Sequence, residues 1–187
     1  MIRTLPLRLR NRLAETILRA LHDADARAAL AEMAGAGAEA WLGPDDRTHA
    51  PLLRQRARRA SEALHAHPWL PTDPSLAETL EVAAALFDAG LGFEVHELLE
   101  PHWARATGDE RQALQGLVQI AVGYQHLANG NLSGAAALLE EGSRRLEGRH
   151  LYGLEADTFA GAVRASLGRL ERLDPATIPR FPRRIDD

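Results

Sequence analysis

Along this chain, apolar residues recur at the three-to-four-residue spacing of a helix face. No stretch shows the strict alternation of a half-buried strand. The pattern predicts helices at about 7–21, 25–42, 51–65, 75–89, 93–106, 109–129, 133–147 and 156–172. Their limits have local causes. Gly43-Pro44-Asp45-Asp46 closes the second helix, and Pro51 suits the first turn of the third, where its missing N–H costs nothing. Gly130-Asn131 ends the sixth, and Asn131 or Ser133 can cap the seventh. The segment His67-Pro68-Trp69-Leu70-Pro71-Thr72-Asp73-Pro74 cannot be helical through its prolines and marks a seam. After Asp174, the residues Pro175, Pro179 and Pro182 predict an extended strap, docked or poorly ordered.

Short connections between the later helices make consecutive helices antiparallel neighbours. The expected architecture is therefore all-α. A helical extension over 1–74 precedes an irregular antiparallel helical bundle over 75–173, and a Pro-rich tail occupies 174–187. The pattern fits both a separate N-terminal unit and one packed on the bundle.

Composition sharpens this in a few respects. Aromatic residues are only 5% of the 187, so the core must be built mainly from Leu and Ala, both strong helix formers. The absence of Cys removes disulfides, thiolate metal sites and cysteine nucleophiles together. The net charge is −4, which gives no large positive field. The cluster Arg54-Gln55-Arg56-Ala57-Arg58-Arg59 and the basic first residues read as solvated helix faces, so nucleic acid is not an expected partner. The first twelve residues alternate Leu with Arg instead of leading into an apolar run, and no stretch reaches the roughly 20 apolar residues of a spanning helix. The expectation is a cytoplasmic protein with no membrane partner; a homo-oligomer and a partner protein are both compatible with the pattern.

Chemistry concentrates in Phe93-Glu94-Val95-His96-Glu97-Leu98-Leu99-Glu100-Pro101-His102-Trp103. At about 100° per residue, Phe93, Leu99 and Trp103 bound an apolar face extended by Val95 and Leu98. His96 and Glu100 fall inside that arc, Glu94 outside it and Glu97 at its edge. This predicts an inward-facing pair in which a buried Glu100 needs a partner. Pro101 removes the hydrogen bond to the Glu97 carbonyl and predicts a kink. On the following helix, Gln115, Gln119 and His126 project within about 40° of one another. A hairpin through Thr107-Gly108-Asp109 would bring that stripe to His96 and Glu100, with Gly116 and Gly123 permitting close approach. The pair reads in two ways: as a hydrogen-bonded packing network, or as ligands of a divalent metal completed by His126 or a Gln carbonyl oxygen. The zinc-peptidase helix would require a second His where Glu100 stands. Glu62-Ala63-Leu64-His65 and Glu147-Gly148-Arg149-His150 have di-iron spacing but sit at predicted helix ends.

Residues from about 83 to 173 resemble domain-of-unknown-function family 309 of bacteria and archaea. The resemblance rests on Leu86-Phe87, Gly90, the 93–103 motif, Leu114-Gln115-Gly116-Leu117-Val118-Gln119-Ile120-Ala121, His126, Gly130-Asn131-Leu132-Ser133-Gly134-Ala135 and Leu138-Leu139-Glu140. It implies a compact helical protein whose signature of His, three residues, Glu, two residues and an aromatic falls on His96, Glu100 and Trp103. It also implies a suggested metal site without an established activity.

Two functional expectations follow. One is a metal-dependent hydrolase holding zinc, manganese, iron or nickel through His96, Glu100 and His126. Glu97 or His126 is then the acid/base, and Phe93, Trp103, Gln115 and Gln119 line the site. The alternative is a non-catalytic helical protein-interaction module in which His96/Glu100 is a buried structural network.

Overall fold

A computed structural model describes residues 4–172 and 177–184. Among these residues the protein is all-α: α1 (Leu7–Arg19), α2 (Ala24–Ala34), α3 (Ala38–Trp41), α4 (Ala50–His65), α5 (Leu76–Asp88), α6 (Gly92–Arg105), α7 (Gly108–Ala128), α8 (Leu132–Leu146) and α9 (Ala156–Leu167). Short 3-10 turns cover Pro44–His49 and Leu170–Arg172, and an isolated antiparallel bridge joins Leu154 to Arg184. No helix among the described residues is long and apolar enough to cross a membrane.

Two helices differ from the sequence expectation. The helix expected over 25–42 is broken between α2 and α3, because Gly35 leaves the helical region at φ −107°, ψ −131°. The amide of Gly37 then returns to the Glu32 carbonyl at 3.0 Å. Two glycines so close together, each costly in a helix interior, let the turn win. The last helix stops at Leu167, where Gly168 follows, and only a 3-10 turn continues to Arg172. Elsewhere the local chemistry acts as expected. Asp23 caps α2 through the amides of Asp25 and Ala26, Asn131 caps α8 through Gly134 N at 3.0 Å, and proline lies in the first turn of α4.

The chain forms two compact units, Met1–Ser75 and Leu76–Asp187. In the first, α1, α2 and α4 bury Leu13, Ile17, Leu30, Leu53 and Leu64. The Arg12 guanidinium stacks 3.9 Å from the Trp41 ring and that of Arg27 3.7 Å from Trp69. In the second, α7 lies between α6 and α8, with α5 against α6 and α9 against α8. Phe87 is the hub of an aromatic cluster, its ring 5.8 Å from Tyr124, 5.8 Å from Phe159 and 5.4 Å from Phe181. Burial pushes the Tyr124 hydroxyl up from its ordinary pKa, partly opposed by its hydrogen bond to Ser166 Oγ at 3.1 Å.

The tail expected over 174–187 lies partly outside the described residues. Its described part is a docked strap. Phe181 is buried, its amide donates to Asp88 Oδ1 at 2.9 Å, and Arg183 pairs with Asp88 Oδ2 at 2.7 Å.

Candidate functional site

The α6–α7 hairpin is joined by Ala106 and Thr107 alone, which fixes the two helices side by side. Its register is set at the other end. A methyl group on Gly92 would run into the Ala121 carbonyl oxygen and lie 3.6 Å from Gln125 Cβ, so α6 begins level with residues 121–125 of α7. Moving along α6 toward Trp103 therefore means moving back along α7 toward Gln115. The helices enclose a cleft there of about 150 Å³, lined by His96, Glu100, Trp103, Gln115, Val118 and Gln119.

At this cleft His96, Glu97 and Glu100 come together, with one ligand-type atom from each lying within 4.8 Å of the others. His96 Nδ1 is 3.0 Å from Glu97 Oε1. Since a carboxylate only accepts, the imidazole donates from Nδ1, and in a neutral ring with that tautomer the lone pair is on Nε2. The Phe93 ring stands 6.2 Å from the His96 ring, at the flank of the site. Trp103 is held from behind. The Arg111 guanidinium stacks 4.2 Å from its ring while Nη1 donates to the Trp103 carbonyl at 2.8 Å and reaches those of Ala104 and Ala106 at 3.4 Å. Two buried polar atoms on the cleft side chains, Trp103 Nε1 and Gln119 Oε1, have no hydrogen-bond partner among the described residues. An unsatisfied buried group of this kind costs about 1–3 kcal/mol.

The burial of α6 corrects the sequence reading. Glu100 is exposed and His96 half-buried, whereas Glu94, expected outside the apolar arc, is fully buried. The reason is the placement of the arc. Phe93 is only half-buried, so the inward face centres on Val95 and Leu99 and does not reach round to Phe93. His96 then sits on the rim and Glu100 just beyond it, facing the cleft mouth. Glu100 therefore needs no buried partner.

His126 is not brought to the cleft. It lies at the far end of α7, beyond the start of α6, where its Nδ1 is 2.8 Å from Asn131 Nδ2. Gly116 and Gly123 permit close approach, but to α8: a methyl on Gly116 would lie 2.8 Å from the Gly142 carbonyl oxygen, and one on Gly123 would meet Leu139. α6 continues as a single helix through Pro101, an exposed residue, to Arg105. The motif's second histidine, His102, pairs through Nε2 with the buried Thr79 hydroxyl at 2.9 Å on α5.

Sequence reasoning missed Arg111 as the clamp on Trp103. The available signal was an arginine just past a two-residue helix link, within reach of an aromatic at the end of the preceding helix. It also missed Val118, the apolar floor between the two glutamines, and gave Glu97 an acid/base role without placing it among the ligand-type groups.

A helical hairpin with an imidazole and two carboxylates at the mouth of a small cleft is the class that this geometry defines. Residues 80–138, from α5 into α8, match the family described as domain of unknown function (DUF309). That segment, which holds every residue lining the cleft, is similar to this family. The match ends short of the 173 reached by the sequence resemblance. No curated protein and no solved structure matched the chain.

Proposed function

We propose that the α6–α7 cleft is the divalent-metal site of a small-molecule hydrolase. The observation that carries this reading is the convergence of His96, Glu97 and Glu100 within 4.8 Å of one another, with His96 and Glu100 lining the cleft. An imidazole with carboxylates beside it is a mixed nitrogen–oxygen donor set that suits zinc, manganese, iron or nickel. His96 through Nε2 and Glu100 would hold the metal, which when bound would polarise a carbonyl or acidify a water. Glu97 Oε1 keeps the His96 ring in the tautomer with Nδ1 protonated, and Glu97 Oε2 remains as a proton acceptor. Val118 and Trp103 restrict water around the reacting group.

The alternative, a packing network in an interaction module, is less well supported. Glu100 is exposed, and Val95 and Leu99 fill the interior without it. Elemental analysis of wild type, His96→Ala and Glu100→Ala separates the two readings. Near-stoichiometric metal in the wild type, lost in both variants with little change in apo-protein melting, is the expected result. Absence of metal after incubation with all four ions, together with a clear drop in melting temperature for His96→Ala, would replace this reading with the packing network.

A further inference from the structure

The second unit has another opening, of about 570 Å³, between the first turns of α8 and the end of α9. It shares no lining residue with the α6–α7 cleft. Leu132 and Ala136 line it from α8, and Leu167 and Leu170 from the α9 side. Leu132, a large apolar side chain, is left 39% exposed there. The charged part of the lining is mainly cationic. The amide of Arg172 donates to the Arg169 carbonyl at 2.9 Å, so these two residues bracket one 3-10 turn. Residues three apart eclipse in such a turn, which puts both arginines along the same edge of the cavity. Among the described residues neither guanidinium has a hydrogen-bond or ion-pair partner, whereas Arg164 is held by Glu147 and Arg183 by Asp88. Two aligned cations repel, and an anion between them would relieve this. Glu171 also lines the cavity, but on a three-residue turn it stands about 120° from that row. The Ser133 hydroxyl is taken by Asn131 Oδ1 at 3.3 Å, so the arginines are the side-chain donors. Arg169 also lies within electrostatic reach of the core. Burial raises the pKa of the Tyr124 hydroxyl, and the Ser166 hydrogen bond and the Arg169 charge both oppose it.

We propose that this cavity binds a small organic oxyanion, with Arg169 and Arg172 holding its carboxylate or phosphate and Leu132, Ala136, Leu167 and Leu170 covering its hydrocarbon body. Guanidinium groups suit such a head group because their planar N–H forks meet two oxygens at once. A neutral apolar molecule would leave the two cations uncompensated, and inorganic phosphate would leave the leucines in water. The α9 side of the cavity lies beyond the family match at residues 80–138, so the site is assigned to this chain and not to the family.

The test is a titration of the full-length protein with benzoate, phenyl phosphate, benzamide and inorganic phosphate at matched ionic strength, followed by NMR. The Arg169 and Arg172 Nε–H signals and the Leu132 and Leu170 methyl groups are the reporters. Benzoate or phenyl phosphate should move both sets saturably, and the tighter of the two identifies the head group. Benzamide and inorganic phosphate should each be at least about tenfold weaker, the first for want of charge and the second for want of hydrocarbon. Arg169→Gln and Arg172→Gln should each weaken the tighter anion by about tenfold, the scale of one charge-assisted hydrogen bond lost. Both side chains are exposed, so the fold should be kept, and the rest of the amide spectrum reports it. Arg58→Gln combined with Arg59→Gln removes exposed charge from α4 instead and should leave binding unchanged. Benzamide binding as well as either anion, inorganic phosphate binding as well as phenyl phosphate, an equal loss in the α4 variant, or no saturable shift would each overturn the proposal.

Discussion

On its α8 side, α7 approaches its neighbour so closely that Gly116 and Gly142 each face the other's carbonyl oxygen. On its α6 side the approach is tight only at Gly92 and opens toward Trp103. The first interface leaves no room even for a methyl group at Gly116, Gly123 or Gly142. The second has polar atoms that the protein itself does not satisfy. One helix thus carries a close-packed face and a face that borders a cleft, separated by rotation about its axis. Close-packed interfaces tolerate little change in volume, whereas a wall with unpartnered buried groups gives up some stability.

Three substitutions test that contrast, in falling order of effect. Gly142→Val should cost about 3 kcal/mol, because its Cβ would lie 2.8 Å from both the Gly116 oxygen and Ile120 Cγ1 in a core that cannot yield. Urea denaturation measures it, and a loss under about 1 kcal/mol would show that the α7–α8 contact is softer than its geometry indicates. Arg111→Ala should cost about 1–2 kcal/mol, the stacking plus a charged hydrogen bond, and should make Trp103 more accessible to acrylamide quenching. Gln119→Leu should have the smallest effect on stability and the opposite sign. Removing an unpartnered buried carbonyl should raise stability by up to about 1 kcal/mol. If it destabilises instead, Gln119 belongs to the packed interior and the contrast between the two faces of α7 fails.

The same contrast explains what was legible in the sequence. Periodicity reports an angle about a helix axis, and at that level it brought His96, Glu100, Trp103, Gln115 and Gln119 to one face-to-face arrangement, which the cleft contains. It does not report height along a neighbour. Gln119 and His126 share an angle on α7, but only the close approach of Gly92 to Ala121 decides that α6 reaches the first and not the second. Nor does it give the width of a buried arc. Phe93 looked like a boundary of the core, and moving that boundary inward exposed Glu100. The break at Gly35 and Gly37 was visible as two glycines but was outweighed by the apolar spacing around them.

The strap that runs past Phe181 has a consequence for the order of events in synthesis. Asp88, at the end of α5, receives its hydrogen bond from the Phe181 amide and its ion pair from Arg183, across separations of 93 and 95 residues. Phe87 likewise completes its ring contacts only with Phe159 and Phe181. While a ribosome is still making the chain, the α6–α7 hairpin can form from neighbours in sequence. The aromatic hub must wait, exposed, until residues 181–183 have emerged. Closing so long a loop is entropically slow, so this half of the molecule is shaped early and sealed last.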